Sequence, residues 1–172
     1  MKTKVIVTLC VVFVWGLVSS ANAQVQAGSP EDKAFQKIDA TSNADTKIGL
    51  LLAFEKEFPQ SKTLREVYLQ LMQIYQEKND HAKIIEFAEK VMKIDANNLP
   101  ALLTAARTYS LDGKPASLDR AITYGTRAVD QTTRMKGLPP QQGYTDEQWR
   151  QYVEENDKLA KSYLAYARAL KR

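Results

Sequence analysis

An internal repeat with a period of 34 residues constrains this chain more than any other feature. Four positions recur with spacings of three, one and three, and they hold large, apolar, small and aromatic side chains. They are Tyr68, Leu71, Met72 and Tyr75 in the first copy and Leu102, Ala105, Ala106 and Tyr109 in the second. This spacing places the side chains on one face of an α-helix, and a period of this length predicts stacked helical hairpins. We therefore expect an all-α fold.

Capping and breaking residues predict where the individual helices begin and end. Ser29, followed by proline and two acids, should open a first helix, because serine accepts hydrogen bonds from the free amides of the first turn. A second helix is expected over residues 47–58, stopped by Pro59, which cannot continue a helix. A third should start at Ser61, and a fourth should span residues 81–94.

The second copy of the hairpin is longer than the first. Nine residues separate Tyr75 from Ile84, whereas twelve separate Tyr109 from Ala121. A glycine and a proline lie in the added segment, and both residue types favour turns. We expect the three additional residues in a loop over residues 111–117.

After the repeats, residues 137–144 form a segment rich in proline and glycine, which predicts a loop. Thr145 and Gln148 then have the spacing of a capping box, in which each side chain bonds the other residue's backbone amide. One long helix should follow within residues 145–172. It would either cap the exposed apolar end of the repeats or form the first half of a further repeat.

The register of these positions resembles that of the tetratricopeptide repeat (TPR) family. The likeness covers residues 29–136, as about three hairpins, and it is strongest over residues 65–129. Residues 95–98 read Asp-Ala-Asn-Asn, where the family usually has Asp-Pro-Asn-Asn, and residues 58–61 resemble exported bacterial members. The resemblance implies a right-handed superhelix of stacked hairpins with a long C-terminal helix. It also implies a protein that binds other proteins and is not an enzyme.

Members of this family usually hold partners in a concave groove lined by the first helix of each hairpin. Carrying the groove positions over one by one gives Glu66, Leu69, Gln73 and Gln76 in one unit and Leu103, Arg107 and Ser110 in the next. Some members clamp a C-terminal carboxylate with lysine and asparagine at places that are Leu69, Gln73 and Leu103 here. Because these residues do not match, the clamp is not expected in this chain. Recognition of a protein or peptide by shape and a few polar contacts is expected instead.

Residues 1–23 have the pattern of a secretory signal peptide. Lys2 and Lys4 precede an apolar run of 14 residues, and Ala-Asn-Ala ends at Ala23 as a cleavage site. The mature chain would begin with a short polar leader, residues 24–28, and would be periplasmic or secreted. A retained N-terminal anchor is the alternative, although the run is shorter than the roughly 20 residues that cross a bilayer.

Charge and reactive residues exclude several functions. The net charge is +4, and the signal peptide contributes two of these positive charges. The remaining charges interleave, so nucleic-acid binding is not expected. Cys10, the only cysteine, lies in the signal peptide, and His81 is the only histidine. We expect no metal, no cofactor and no catalytic site. A hydrolase that uses His81 is a further alternative, but packing is the expected role of this residue.

Two functions remain. The first is an exported scaffold that binds a partner in the groove. The second is an architectural subunit of a cell-envelope complex, held permanently through its convex face or its C-terminal helix. A permanent subunit should aggregate when isolated, because it exposes an apolar patch, whereas a peptide-binding module should be a stable monomer.

Overall fold

A computed structural model describes residues 27–172, and the predicted signal peptide and nearly all of the leader lie outside this range. Within it the chain is all-helical, as predicted, with seven helices and no strand. The helices are α1 (Pro30–Asp39), α2 (Ala44–Glu57), α3 (Leu64–Glu77), α4 (His81–Ile94), α5 (Leu99–Asp112), α6 (Pro115–Met135) and α7 (Asp146–Leu170). None of the described helices is long and apolar enough to cross a membrane.

Side-chain caps start five of these helices. The capping residues are Ser29, Asn43, Asp80, Asn98 and Thr145. The predicted capping box is confirmed: the amide of Gln148 donates to Thr145 Oγ1 at 3.2 Å, and the amide of Thr145 donates to Gln148 Oε1 at 3.0 Å. Each such cap satisfies an amide that has no partner inside the helix and contributes about 1 kcal/mol.

Three of the predicted boundaries were wrong. Helix α2 begins three residues earlier than residue 47, because Asn43 caps it, and α3 begins at Leu64 and not at Ser61. The expected loop over residues 111–117 is also absent, since only Gly113 and Lys114 connect α5 to α6. Gly113 ends α5 in the left-handed conformation with φ +68°, and Pro115 occupies the first turn of α6. The additional residues therefore lengthen α6, which has 21 residues, whereas α4 has 14.

Consecutive helices pack against one another along the chain, and α7 packs against both α5 and α6. The core contains the predicted stripes: Leu71 and Leu102 are completely buried, and Tyr109 is 7% exposed. Tyr75 is only half-buried. The expected interior of the repeats is thus confirmed, with one tyrosine at its edge.

Two aromatic stacks occupy equivalent places in the two copies of the repeat. The ring of Tyr75 stacks on Phe87 with centroids 5.6 Å apart and planes 3° apart. The ring of Tyr109 stacks on Tyr124 with centroids 5.9 Å apart and planes 15° apart. The first rings are 34 residues apart and the second rings 37, so the three inserted residues lie between the stacked positions.

A buried carboxylate joins α7 to α6. Asp157 is 6% exposed and accepts hydrogen bonds from Lys136 Nζ at 2.6 Å, Lys161 Nζ at 2.8 Å and Thr132 Oγ1 at 2.9 Å. The hydrogen bonds from Lys136 and then Lys161 hold the pKa of Asp157 well below its ordinary value. Because a buried charge without partners is costly, this cluster fixes the register between the two helices.

Candidate partner-binding face

Helices α3, α5 and α7 share one face of the protein. Gln76 Nε2 on α3 donates to Thr104 Oγ1 on α5 at 3.2 Å. A cleft of about 330 Å³ brings Leu69 of α3, Leu99 of α5 and Tyr152 of α7 together. We call this surface the α3–α5–α7 face, and it contains the places expected to line the groove.

Four of the predicted groove residues lie on α3 and remain at least partly accessible. Leu69 lines the cleft just described, and exposed Gln73 lines a second cleft of about 370 Å³ beside the start of α2. Gln76 is half-buried in its bond to α5. Glu66 is ion-paired with Arg65 at 2.6 Å, and this hydrogen bond raises the pKa of the arginine.

The three predicted groove residues on α5 differ in accessibility. Arg107 is exposed and forms no ion pair within residues 27–172. Leu103 is only 8% exposed and Ser110 only 2%, with Ser110 Oγ donating to the carbonyl of Ala106 at 2.8 Å. Neither buried residue offers a partner a surface to touch, because neighbouring helices cover both. The groove assignment is therefore corrected at these two positions.

The cleft combines apolar walls with side-chain amides. Beyond Leu69, Leu99 and Tyr152, its lining consists of Arg65, Asp95, Asn97, Asn98, Pro100, Gln131, Met135 and Gln141. Asparagine and glutamine amides both donate and accept hydrogen bonds, so they can pair with the N–H and C=O groups of a peptide main chain. The apolar wall can take an apolar side chain at the same time. This lining suits binding by shape and a few polar contacts.

Sequence reasoning missed an exposed apolar line on α7. Tyr152 shares its helix face with four residues that follow at three-and-four spacing, and we call these four the α7 stripe: Leu159, Tyr163, Tyr166 and Leu170. Leu159 is 44% exposed, Tyr166 is 49% exposed and Leu170 is 46% exposed. Tyr163 is half-buried against the core. The face that began in the cleft thus continues as a narrow apolar surface over about three turns.

A signal for this stripe was present in the sequence. A second apolar series on the same helix is buried against α5 and α6, and it includes Trp149, Val153, Ala160, Leu164 and Ala167. One helix thus carries two apolar lines that point in different directions. The expected capping role would use only one of them, so the second line indicates a further contact.

The remaining chemistry of the described residues is simple. His81 is exposed as the first residue of α4, so the packing role expected for it was wrong. Within residues 27–172 no three side chains of histidine, cysteine, aspartate or glutamate are grouped as a metal site would require.

The described residues thus define an all-helical protein of repeated packing with one extended, partly apolar face. No protein-family model, curated protein or solved structure matches this chain.

Proposed function

We propose that this protein is an exported, non-enzymatic scaffold of the TPR type, which binds a protein or peptide partner on the α3–α5–α7 face. The observation that carries the proposal is the α7 stripe, which leaves three large apolar side chains nearly half exposed along one line. The amide-lined cleft continues this line at Tyr152. Contiguous exposed apolar surface on a folded protein commonly marks an interaction site.

The packing of α7 supports a preformed surface. Its other face is buried against α5 and α6, and Asp157 ties it to α6 through two hydrogen bonds, from Thr132 and Lys136. A partner that docks on the stripe would not have to order this helix first. Binding to a surface that is already ordered loses less conformational entropy, so more of the contact energy contributes to affinity.

The TPR assignment rests on the repeated packing. The stacks of Tyr75 on Phe87 and of Tyr109 on Tyr124 give the two copies the same kind of aromatic contact. A right-handed superhelix of about three hairpins, with α7 as a cap or a partial repeat, is the arrangement we propose from this shared contact. Its concave side would be the α3–α5–α7 face.

Site-specific crosslinking in the native host tests the partner-binding role. A photoreactive amino acid at Gln73 or Arg107 should capture a partner, whereas the same group at exposed Thr133 of α6 should not. Capture from Gln73 and Arg107 should be lost in Tyr166→Lys, because a charge on the stripe opposes burial of apolar groups. Capture that is equal from Thr133, or that survives Tyr166→Lys, would contradict the proposal.

A permanent architectural subunit is the second candidate, and the same stripe favours it. A face of Leu159, Tyr166 and Leu170 suits a stable interface with another envelope protein as well as a transient one. Sedimentation of the purified chain distinguishes the two roles. A binding module should remain monomeric up to high concentration, whereas a subunit removed from its complex should self-associate through the stripe, and Tyr166→Lys should prevent it.

Export also belongs to the proposal, as do the expected absences of a cofactor, a nucleic-acid partner and membrane insertion. Cleavage after Ala23 would give a mature chain that starts at Gln24, in the periplasm or outside the cell. The intact mass of protein recovered from that compartment checks the cleavage point. A mass that includes residues 1–23 would indicate the retained anchor. We propose no cofactor, no nucleic-acid partner and no membrane insertion of the mature chain.

A further inference from the structure

Helices α4 and α6 each carry a pair of cationic side chains at equivalent positions on one face. Lys83 and Lys90 of α4 correspond to Arg120 and Arg127 of α6, because 37 residues separate the members of both pairs. This distance is the same as that between the equivalent stacked rings of the two helices. The cations of each pair are seven residues apart, so they lie on one side of their helix, two turns from each other.

On α4 the two cations are neutralised within the chain. Glu86 lies between them in sequence, and its carboxylate bridges both: it is 2.7 Å from Lys83 Nζ and 3.4 Å from Lys90 Nζ. Glu55 of α2 adds a second contact to Lys90 at 2.9 Å. Two carboxylates therefore face two ammonium groups.

On α6 only one of these two carboxylates has a counterpart. Glu89 of α4, which is 34 residues from Glu55, pairs with Arg120 at 3.0 Å. The residue that corresponds to Glu86, however, is Thr123, which is exposed and uncharged. Arg127 forms no ion pair with any residue that the structure describes. The repeated pattern is balanced in charge on α4 and has a surplus positive charge on α6.

The two guanidinium groups are held in place by hydrogen bonds and by aromatic rings. Arg120 donates to Glu89 Oε1 and to Tyr109 Oη, and Arg127 donates to the carbonyl of Ala96. Arg120 lies 5.5 Å from the ring centroid of Tyr109, and Arg127 lies 5.7 Å from that of Tyr124. Both arginines line a cleft of about 350 Å³ toward α4, whose wall also contains the cation of Lys93 and the carboxylate of Glu89; exposed Thr123 lies outside this lining. A planar guanidinium that is already positioned matches the two oxygens of a carboxylate and loses little freedom on binding.

We propose that a carboxylate from an acidic segment of a partner protein binds between Arg120 and Arg127, over Thr123, in the position that Glu86 holds on α4. A carboxylate fits better than a phosphate group because the equivalent bridge on α4 is itself a carboxylate, Glu86 between Lys83 and Lys90. This surface lies on α4 and α6, so it is independent of the α3–α5–α7 face.

Nuclear magnetic resonance of the arginine Nε–Hε groups tests the assignment directly. The protein is titrated with a blocked five-residue peptide of alternating alanine and glutamate, with the same peptide carrying glutamine, and with inorganic phosphate. The glutamate peptide should shift the signals of Arg120 and Arg127 and should lose most of its effect in 1 M salt, where charges are screened within about 3 Å. The glutamine peptide and phosphate should shift them much less.

Two variants of matched size test whether binding of the glutamate peptide depends on the charge at position 123. Thr123→Glu supplies the bridging carboxylate within the chain and should weaken binding of the glutamate peptide about fivefold, as expected for losing an exposed ion pair. Thr123→Gln has the same shape without the charge and should bind like the native protein. Circular dichroism should show equal helicity in both, since Thr123 is exposed.

Several results would overturn the proposal. They are an absence of shifts at both arginines with the glutamate peptide, equal binding of the peptide to native protein and Thr123→Glu, and equal loss in Thr123→Gln. Phosphate that binds as tightly as the peptide would overturn the assignment to a carboxylate.

Discussion

Gly125 of α6 lies directly against Leu164 of α7. A β-carbon placed on Gly125 would be 3.2 Å from Leu164 Cβ and 3.3 Å from its Cα. Both distances are tighter than ordinary van der Waals contact, and one of them is to the backbone, which cannot turn away. The two longest helices therefore approach each other as closely as they do because residue 125 has no side chain.

Gly125→Ala should lower the free energy of unfolding by about 1–3 kcal/mol, because the added methyl group forces the packed helices apart. Gly49→Ala is the matched control: it also lies inside a helix, but no atom of the described part of the chain is within 4 Å of a β-carbon there. That change should raise stability by about 0.5–1 kcal/mol through better helix propensity. Urea denaturation measures both, and equal effects of the two changes would contradict the close contact.

The two stacked tyrosines should both contribute to stability. Tyr109→Ala should lower the free energy of unfolding by about 3 kcal/mol, because it removes a buried ring from its stack, and Tyr75→Ala should lower it by less, because Tyr75 is only half-buried. Tyr109→Ala should cost more, since Tyr109 is buried and also bonds Glu89 Oε1 at 2.8 Å. A negligible loss at either position in urea denaturation would show that the two repeats are not equivalent.

Asp157 should make stability depend on pH in the acid range. Its folded-state pKa is lowered, chiefly by Lys136, whereas an unfolded aspartate has a pKa near 3.9. Its stabilising effect is therefore fully present above about pH 5, begins to be lost as the pH falls below about 4, and disappears only below the folded-state pKa. Urea denaturation at pH 7 and pH 3 should show this loss in the native protein.

Asp157→Asn is the control for that loss. It should be about 1–2 kcal/mol less stable than the native protein at pH 7, a figure reduced because both lysines are partly exposed. The difference between the two proteins should shrink toward pH 3. An unchanged difference would mean that other carboxylates cause the acid sensitivity.

The groove variant Arg107→Glu with Gln73→Ala should separate binding from folding. Both side chains are exposed, so helicity and melting temperature should stay nearly unchanged. Capture of a partner should fall about tenfold if the pair includes an important contact. Unfolding of the variant would show instead that these residues are structural, and unchanged capture would place the partner elsewhere.

Much of the helical framework could be predicted from local sequence. Ser29 and the pair Thr145 and Gln148 begin helices where they were expected to, because a cap bonds amides only two or three residues away. The loop over residues 111–117 could not be predicted in this way. Gly113 and Pro115 are equally compatible with a long loop and with a two-residue link between helices, and packing of the extended helices decides between them.

The candidate site was predicted less completely, because exposure depends on neighbours that are distant in sequence. Leu103 and Ser110 have the register of groove residues, yet both are buried. Leu159 and Tyr166 belong to a helix that was expected to act as a cap, yet they are nearly half exposed. Helical periodicity predicts which residues share a face. Which face is buried depends on where a neighbouring helix packs.

The amino-acid sequence by itself determined that the chain is helical, where most helices begin, and that two hairpins repeat with a three-residue insertion. These properties depend on short-range hydrogen bonding and on the spacing of apolar side chains. Only the tertiary structure decided that α7 turns one apolar line inward and another outward. It also decided that Arg127 has no carboxylate from residues 27–172 beside it, where Lys90 has two. Both outcomes depend on the approach of elements far apart in the chain, which local periodicity does not encode.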